Sequence, residues 1–122
     1  MKVEQTVNRE YEFYVAGLKF HQYPRIKPFI KEGDKVLLIT DPDNQYDPNA
    51  VKVIYPRGDE FIMLGHVPMK KDLSLKISRL INAAISDPDW PGDPYWTGIV
   101  TYHGLDSPSY QALKVEVSFD GS

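Results

Sequence analysis

The side chains best able to do chemistry crowd into one stretch, Asp41-Pro42-Asp43-Asn44-Gln45-Tyr46-Asp47-Pro48-Asn49-Ala50, set between two apolar runs. Its carboxylates and amides could hold a hydroxyl or a cation, and the Tyr46 ring offers a flat apolar face. Pro42 and Pro48 lock φ, and Asn and Asp side chains bond back to the backbone, so the stretch reads as a rigid loop. Rigid loops on a strand scaffold commonly carry binding residues. The plainer reading is a well-made turn with no ligand. Calcium fails as a candidate: after Asp41-x-Asp43-x-Gln45 a calcium loop needs Gly at its sixth position and Glu at its twelfth. This chain has Tyr46 and Lys52 there.

No other constellation supplies a reaction. His21, His66 and His103 are widely spaced and have no cysteine to complete a zinc set, so each reads as a polar contact. The chain has no cysteine at all, which removes thiol nucleophiles and disulfides and suits a cytoplasmic protein. It also lacks a Gly-rich phosphate loop and a serine elbow. A metal-dependent nuclease commonly carries an acid two residues before its lysine, and before Lys52 that place is held by Ala50. The residues point to binding without catalysis, and to no metal or cofactor.

A length of 122 residues with 42% apolar content fits one domain, residues 1–122, with its core within about 11–119. No apolar run could cross a bilayer, and residues 1–5 lack the apolar core of a leader, so no membrane partner is expected. A net charge of −3 argues against indiscriminate coating of nucleic acid. The charge is unevenly spread, however. Lys19, Arg25, Lys27, Lys31 and Lys35 form one basic group, and Lys70, Lys71, Lys76 and Arg79 a second. Further on, Asp87, Asp89, Asp93, Asp106, Glu116 and Asp120 outweigh Lys114. A local basic site on an acidic molecule favours specific over diffuse binding to phosphate. The acidic loop 87–93 would keep nucleic acid off its own face.

These residues need a scaffold, and the patterning supplies strands. Residues 11–20 are rich in aromatic and β-branched types and read as a strand, bent near Gly17. Pro24 and Pro28 make the next segment a loop or a short turn of helix. Residues 35–40 read as a buried strand, and residues 51–55 and 61–66 as two more, joined by a turn at Gly58. Leu73, Ile77, Leu80, Ile81 and Ala84 recur at helical spacing, giving one amphipathic helix over about 68–85 with Pro68 in its first turn. Residues 95–102 and 113–119 are the last strands, the latter with Leu113, Val115, Val117 and Phe119 on one side. The expectation is a mainly β fold, a modified OB-like small β-barrel with the helix as its plug.

In order, three pieces resemble the HIRAN domain, a module found at the N-terminus of Swi/Snf-type DNA-remodelling enzymes and as small free-standing proteins. They are Val15-Ala16-Gly17-Leu18-Lys19-Phe20-His21, the Asp41 loop continued through Val51-Lys52-Val53, and Leu64-Gly65-His66-Val67-Pro68. The resemblance runs from Val15 to Val67 and more loosely to Phe119. It implies a barrel that binds single-stranded DNA and grips a free 3′-hydroxyl end, in DNA repair or fork processing. On that basis Lys19, Phe20 and His21 would lie along the terminal nucleotides. Asn44, Tyr46 and Asp47 would form the pocket for the end, with His66 at its edge, Lys70 and Lys71 on phosphates and Tyr110 completing the base contact. The chain departs from the family at Gln45, at Met69, where a basic residue is common, and at His21, which would become cationic in mild acid.

General chemistry fits that assignment. Aromatic rings stack on any base, and lysines neutralise phosphates. A carboxylate such as Asp47 beside a nucleic acid is useful only if it accepts a bond from a terminal hydroxyl, and it would then repel a terminal phosphate. Alternatively Asp47 simply caps its own turn. Two other functions stay open: a protein- or peptide-binding module, and a subunit that targets a separate helicase, ATPase or nuclease to DNA.

Overall fold

The computed structural model describes residues 9–119; residues 1–5 and Asp120, weighed above, lie outside that range. In chain order the elements are β1 (Arg9–Tyr14), a short helix α1 (Tyr23–Ile26), β2 (Lys35–Thr40), β3 (Val51–Arg57), β4 (Glu60–His66), the long helix α2 (Leu73–Ile85), β5 (Trp96–His103) and β6 (Leu113–Phe119). Single 3-10 turns at Leu18–Phe20, Lys27–Phe29, Lys70–Asp72 and Ser109–Gln111 fill the connections. The strands form one six-stranded antiparallel sheet in the order β1-β6-β5-β2-β3-β4. The fold is therefore mainly β, as the patterning indicates.

The barrel is not closed by strand pairing. β1 and β4 are the sheet edges, and one bridge joins them just beyond the end of β1. There the Ala16 N–H donates to the His66 carbonyl at 2.8 Å, and the His66 N–H donates to the Ala16 carbonyl at 2.9 Å. Bulges between Val53 and Ile54 and between Val100 and Tyr102 add the local twist that curls the sheet and brings its edges together. Gly17, at φ 76°, then turns the chain out of the sheet, so the first strand is shorter than the 11–20 expected. The turn that follows covers the β4 edge, where the Gln22 N–H donates to the Met63 carbonyl at 3.1 Å.

Alternation along β6 puts Leu113, Val115, Val117 and Phe119 inside and leaves Glu116 and Ser118 out, as its sequence pattern requires. They meet Val36, Leu38, Val51, Val53 and Leu64 from the other strands, and Ile77 and Ile81 from α2 plug this core. Each fully buried aliphatic side chain contributes roughly 1.5–3 kcal/mol. The helix itself begins at Leu73 and not at Pro68. Lys71 and Asp72 take φ of 55° and 59°, values no right-handed helix allows, so the chain kinks before α2 can start. Its buried face also differs from the expected stripe: Ser74 and Ser78 are buried beside Ile77 and Ile81, while Leu73, Leu80 and Ala84 are half-buried.

Beyond α2 the proline-rich loop lies along β2 and the start of β5 and reaches the edge of the core. Trp90 stacks on Trp96 at 5.3 Å between ring centroids, and Trp96 stacks in turn on Phe119 at 5.0 Å. The Trp90 indole N–H donates to the Asp93 carbonyl at 2.9 Å, which pins the loop's return.

The bridge sets a tight local constraint. A Cβ at Gly65 would run into the Ala16 carbonyl oxygen and the Val15 side chain. Gly65→Ala should therefore cost about 1–3 kcal/mol through forced backbone displacement, read as a lowered urea midpoint with unchanged slope. An Ala at the open turn position Gly33, where a Cβ meets nothing but φ is 96°, should cost less.

Candidate nucleic-acid interface

The Asp41 loop is held by its own side chains. The Asn44 carboxamide oxygen accepts the N–H groups of Tyr46 and Asp47 at 2.9 and 3.0 Å, and its NH2 donates to the Asp41 carboxylate at 3.3 Å. Asp47 Oδ1 accepts the Asn49 N–H at 2.9 Å. Its other oxygen reaches across the molecule and accepts the Ser74 hydroxyl of α2 at 2.9 Å. Asp47 is only 9% exposed. The network leaves the Tyr46 ring projecting from the loop, 89% exposed.

Beside this loop lies a cleft of about 310 Å³ lined by Ala16, Asn44, Tyr46, Asp47, Ala50, His66, Val67, Pro68 and Met69. Ala16 and Pro68 also belong to the wall of a longer groove of about 800 Å³, so one opens into the other. That groove runs between β1 and the start of α2, with Lys70, Lys71 and Lys76 on one side and Tyr14 and Tyr110 on the other. The carboxylate on its wall, Glu12, is already engaged, by Lys114 at 3.6 Å and by the Thr101 hydroxyl at 2.8 Å. A small, mainly apolar cleft with a few polar groups and an aromatic lip thus adjoins a channel lined by ammonium groups and rings. This is chemistry suited to a polyanion with flat bases.

Comparison with known proteins agrees. The sequence matches the HIRAN domain family over residues 8–119. The chain belongs to the HIRAN family. The crystal structure of the HIRAN domain of human HLTF has the same fold, with a TM-score of 0.61 over 90% of this chain and 74% of that one, at 20% identity. Direct comparison with curated protein sequences finds no match. HIRAN domains are DNA-binding modules, a binding family and not a catalytic one.

In this HIRAN domain the sequence-derived residues fall into separate groups. Asn44, Tyr46, Asp47 and His66 share the small cleft. Lys70, Lys71 and Tyr110 share the groove, with Tyr110 68% exposed. His21 sits against His66, ring centroids 5.6 Å apart. Lys19 and Phe20 line neither space. Lys19 borders a third cleft with Lys27, Ser107 and Ser109, and its ammonium lies 5.1 Å from the Phe20 ring centre. Phe20 stands 75% exposed. Among the described residues no cluster of three or more His, Cys, Asp or Glu could hold a metal, and no helix is long and apolar enough to cross a membrane.

Three further residues, Ser74, Lys76 and Tyr14, belong to the site. Ser74 was read as part of a plain helix, yet it anchors Asp47; a serine pair at positions 74 and 78 amid Leu73, Leu75 and Ile77 was the available signal. Lys76 and Tyr14 complete the groove, and Lys76 stood in the second basic group without being assigned. Asn44 and Asp47, in turn, spend most of their hydrogen-bonding capacity within the protein, so both shape the loop as well as line the cleft.

The Asp47 bonds predict a stability cost of about 1–3 kcal/mol for Asp47→Ala and about 0.5–1.5 kcal/mol for Ser74→Ala, measured by urea unfolding near neutral pH. A double variant losing little more than Asp47→Ala alone would establish the coupling. His66 generates a second expectation. Burial holds its imidazole below the ordinary 6.5, with His21 and Lys52 acting the same way and Asp41 and Asp47 opposing. The unfolded chain then binds the proton more readily, so stability should fall as pH drops from 6.5 through the lower folded value. The urea midpoint of His66→Gln, followed from neutral to mildly acid buffer, should fall less than that of the parent.

Proposed function

We propose that this domain binds single-stranded DNA by its free 3′-hydroxyl end and performs no chemistry of its own, serving repair or replication-fork processing. The observation that carries the reading is the continuity of the small cleft with the lysine-lined groove through Ala16 and Pro68. A strand end fits the cleft, with Tyr46 stacking on the terminal base and the Asp47 carboxylate close to the sugar. The backbone then follows Lys70, Lys71 and Lys76, and Tyr110 and Tyr14 meet the next bases. Asp47 favours a hydroxyl over a phosphate because like charges repel, and each of its oxygens, though already bonded to Asn49 or Ser74, keeps a lone pair for a terminal hydroxyl.

The apolar part of the groove wall, Phe13, Val15 and Leu73, supports a second reading as a peptide-binding groove. Salt separates the two, since phosphate contacts weaken as salt rises and apolar contacts do not.

Fluorescence anisotropy with short oligonucleotides differing only in a 3′-hydroxyl or 3′-phosphate tests the proposal. The hydroxyl end should bind more tightly. Tyr46→Ala should cost about 1–3 kcal/mol of affinity. Lys70→Ala or Lys76→Ala should each make the log–log salt slope shallower by about 0.7. Equal affinity for both ends, unchanged by Tyr46→Ala, would sink the end-binding reading, and salt-insensitive binding would favour the peptide groove.

A further inference from the structure

The histidines of this chain are of two kinds. His103 is occupied at both ring nitrogens, Nδ1 lying 2.9 Å from the Ile30 carbonyl oxygen and Nε2 2.9 Å from the Tyr23 hydroxyl. His21 and His66 are not: among the described residues neither ring has a hydrogen-bond partner. Yet both are half-buried, and they meet edge to face at 5.6 Å with an interplanar angle of 65°. For His66 the open side is the small cleft, whose wall it forms together with Asp47; His21 lies against His66 outside that lining.

The pair sits in a field of mixed sign. Lys52 stands directly across from His66 on β3, while Asp41 and Asp47 come from the loop. Lys19 lies on the turn before His21, and α1 carries Arg25, which is turned toward Gln22 and Glu60. Burial and the neighbouring His21 hold the His66 ring toward its neutral form, and an anion entering the cleft would draw a proton onto it.

Building on the reading of this cleft as the seat of a 3′ end, we infer that His66, with His21 packed against it, forms a proton-gated site for a terminal phosphate monoester. Near neutral pH the His66 ring is uncharged, and Asp47 is the charge that an arriving end meets; a hydroxyl is accepted and a phosphate refused. In mild acid a protonated His66 presents an N–H donor and positive charge to the cleft, and admits the phosphate. End selectivity becomes a function of pH set by these two side chains.

The test compares 3′-hydroxyl and 3′-phosphate oligonucleotides by anisotropy at about pH 7.5 and about pH 5.5, a range that spans the ordinary imidazole titration. The terminal phosphate itself takes up a proton near about pH 6, so His21→Gln/His66→Gln serves as the control that experiences the same change. The preference of the parent protein for the hydroxyl should shrink several-fold in acid, and that of the double variant should shrink less. Equal shrinkage in both, or none in the parent, overturns the histidine site while leaving 3′-end binding intact. Failure of the parent to bind the hydroxyl oligonucleotide at about pH 7.5 would instead overturn the end-binding reading beneath it. Should the double variant not fold, proton NMR of the parent's imidazole C–H signals decides: the titration midpoint of His66 should rise on adding the 3′-phosphate oligonucleotide more than on adding the hydroxyl one, and equal shifts reject the site.

Discussion

Two hydrogen bonds between Ala16 and His66 decide the shape of this protein's working face. Energetically they are modest, each contributing about 0.5–1.5 kcal/mol net. Their geometric reach is larger. They draw the two edges of a six-stranded sheet together at one point, which turns an open sheet into a cup. They place Ala16 beside Pro68, the shared wall of the small cleft and the long groove. They also set the His66 ring at the cleft, and they require Gly65, since no other residue leaves room for the Ala16 carbonyl.

Much of this architecture was legible in the sequence because strand alternation is a local signal. The 35–40 and 113–119 strands follow from residue order alone, and the structure places both at those bounds. Elements that depend on distant contacts were not legible. The bridge joins Ala16, a single residue beyond β1, to the last residue of β4, and no local pattern marks it. Helix α2 starts late because Lys71 and Asp72 adopt left-handed backbone, an uncommon choice for non-glycine residues that no residue pattern here announces. Pro68 looked like a helix-opening residue by the usual rule, and it is instead part of the cleft wall.

The candidate site divides in the same way. The Asp41 loop announced itself through Pro42, Pro48 and its dense side-chain oxygens, and its internal bonds follow from Asn and Asp chemistry. The resemblance to the HIRAN pattern ordered that loop relative to His66 and Lys70. What stayed hidden was the Ser74–Asp47 bond, because its partners are separated by 27 positions and each is ordinary in its own segment. That bond ties the loop to α2, so loop shape and helix position are mechanically one thing. The two explanations of Asp47, turn cap and cleft wall, are thereby compatible: the carboxylate holds its loop and still borders the cleft.

The aromatic stack of Trp90, Trp96 and Phe119 has a practical consequence for spectroscopy. Both tryptophans of the chain, Trp90 and Trp96, lie nearly parallel within it and border neither the cleft nor the groove. Their emission and their exciton-coupled dichroism will follow the docking of the proline-rich loop onto Phe119, and hence the integrity of the last strand. A ligand entering at Tyr46 would leave those signals almost untouched. Intrinsic tryptophan light thus reports folding in this domain while staying blind to occupancy, which separates two observables that most small binding proteins mix.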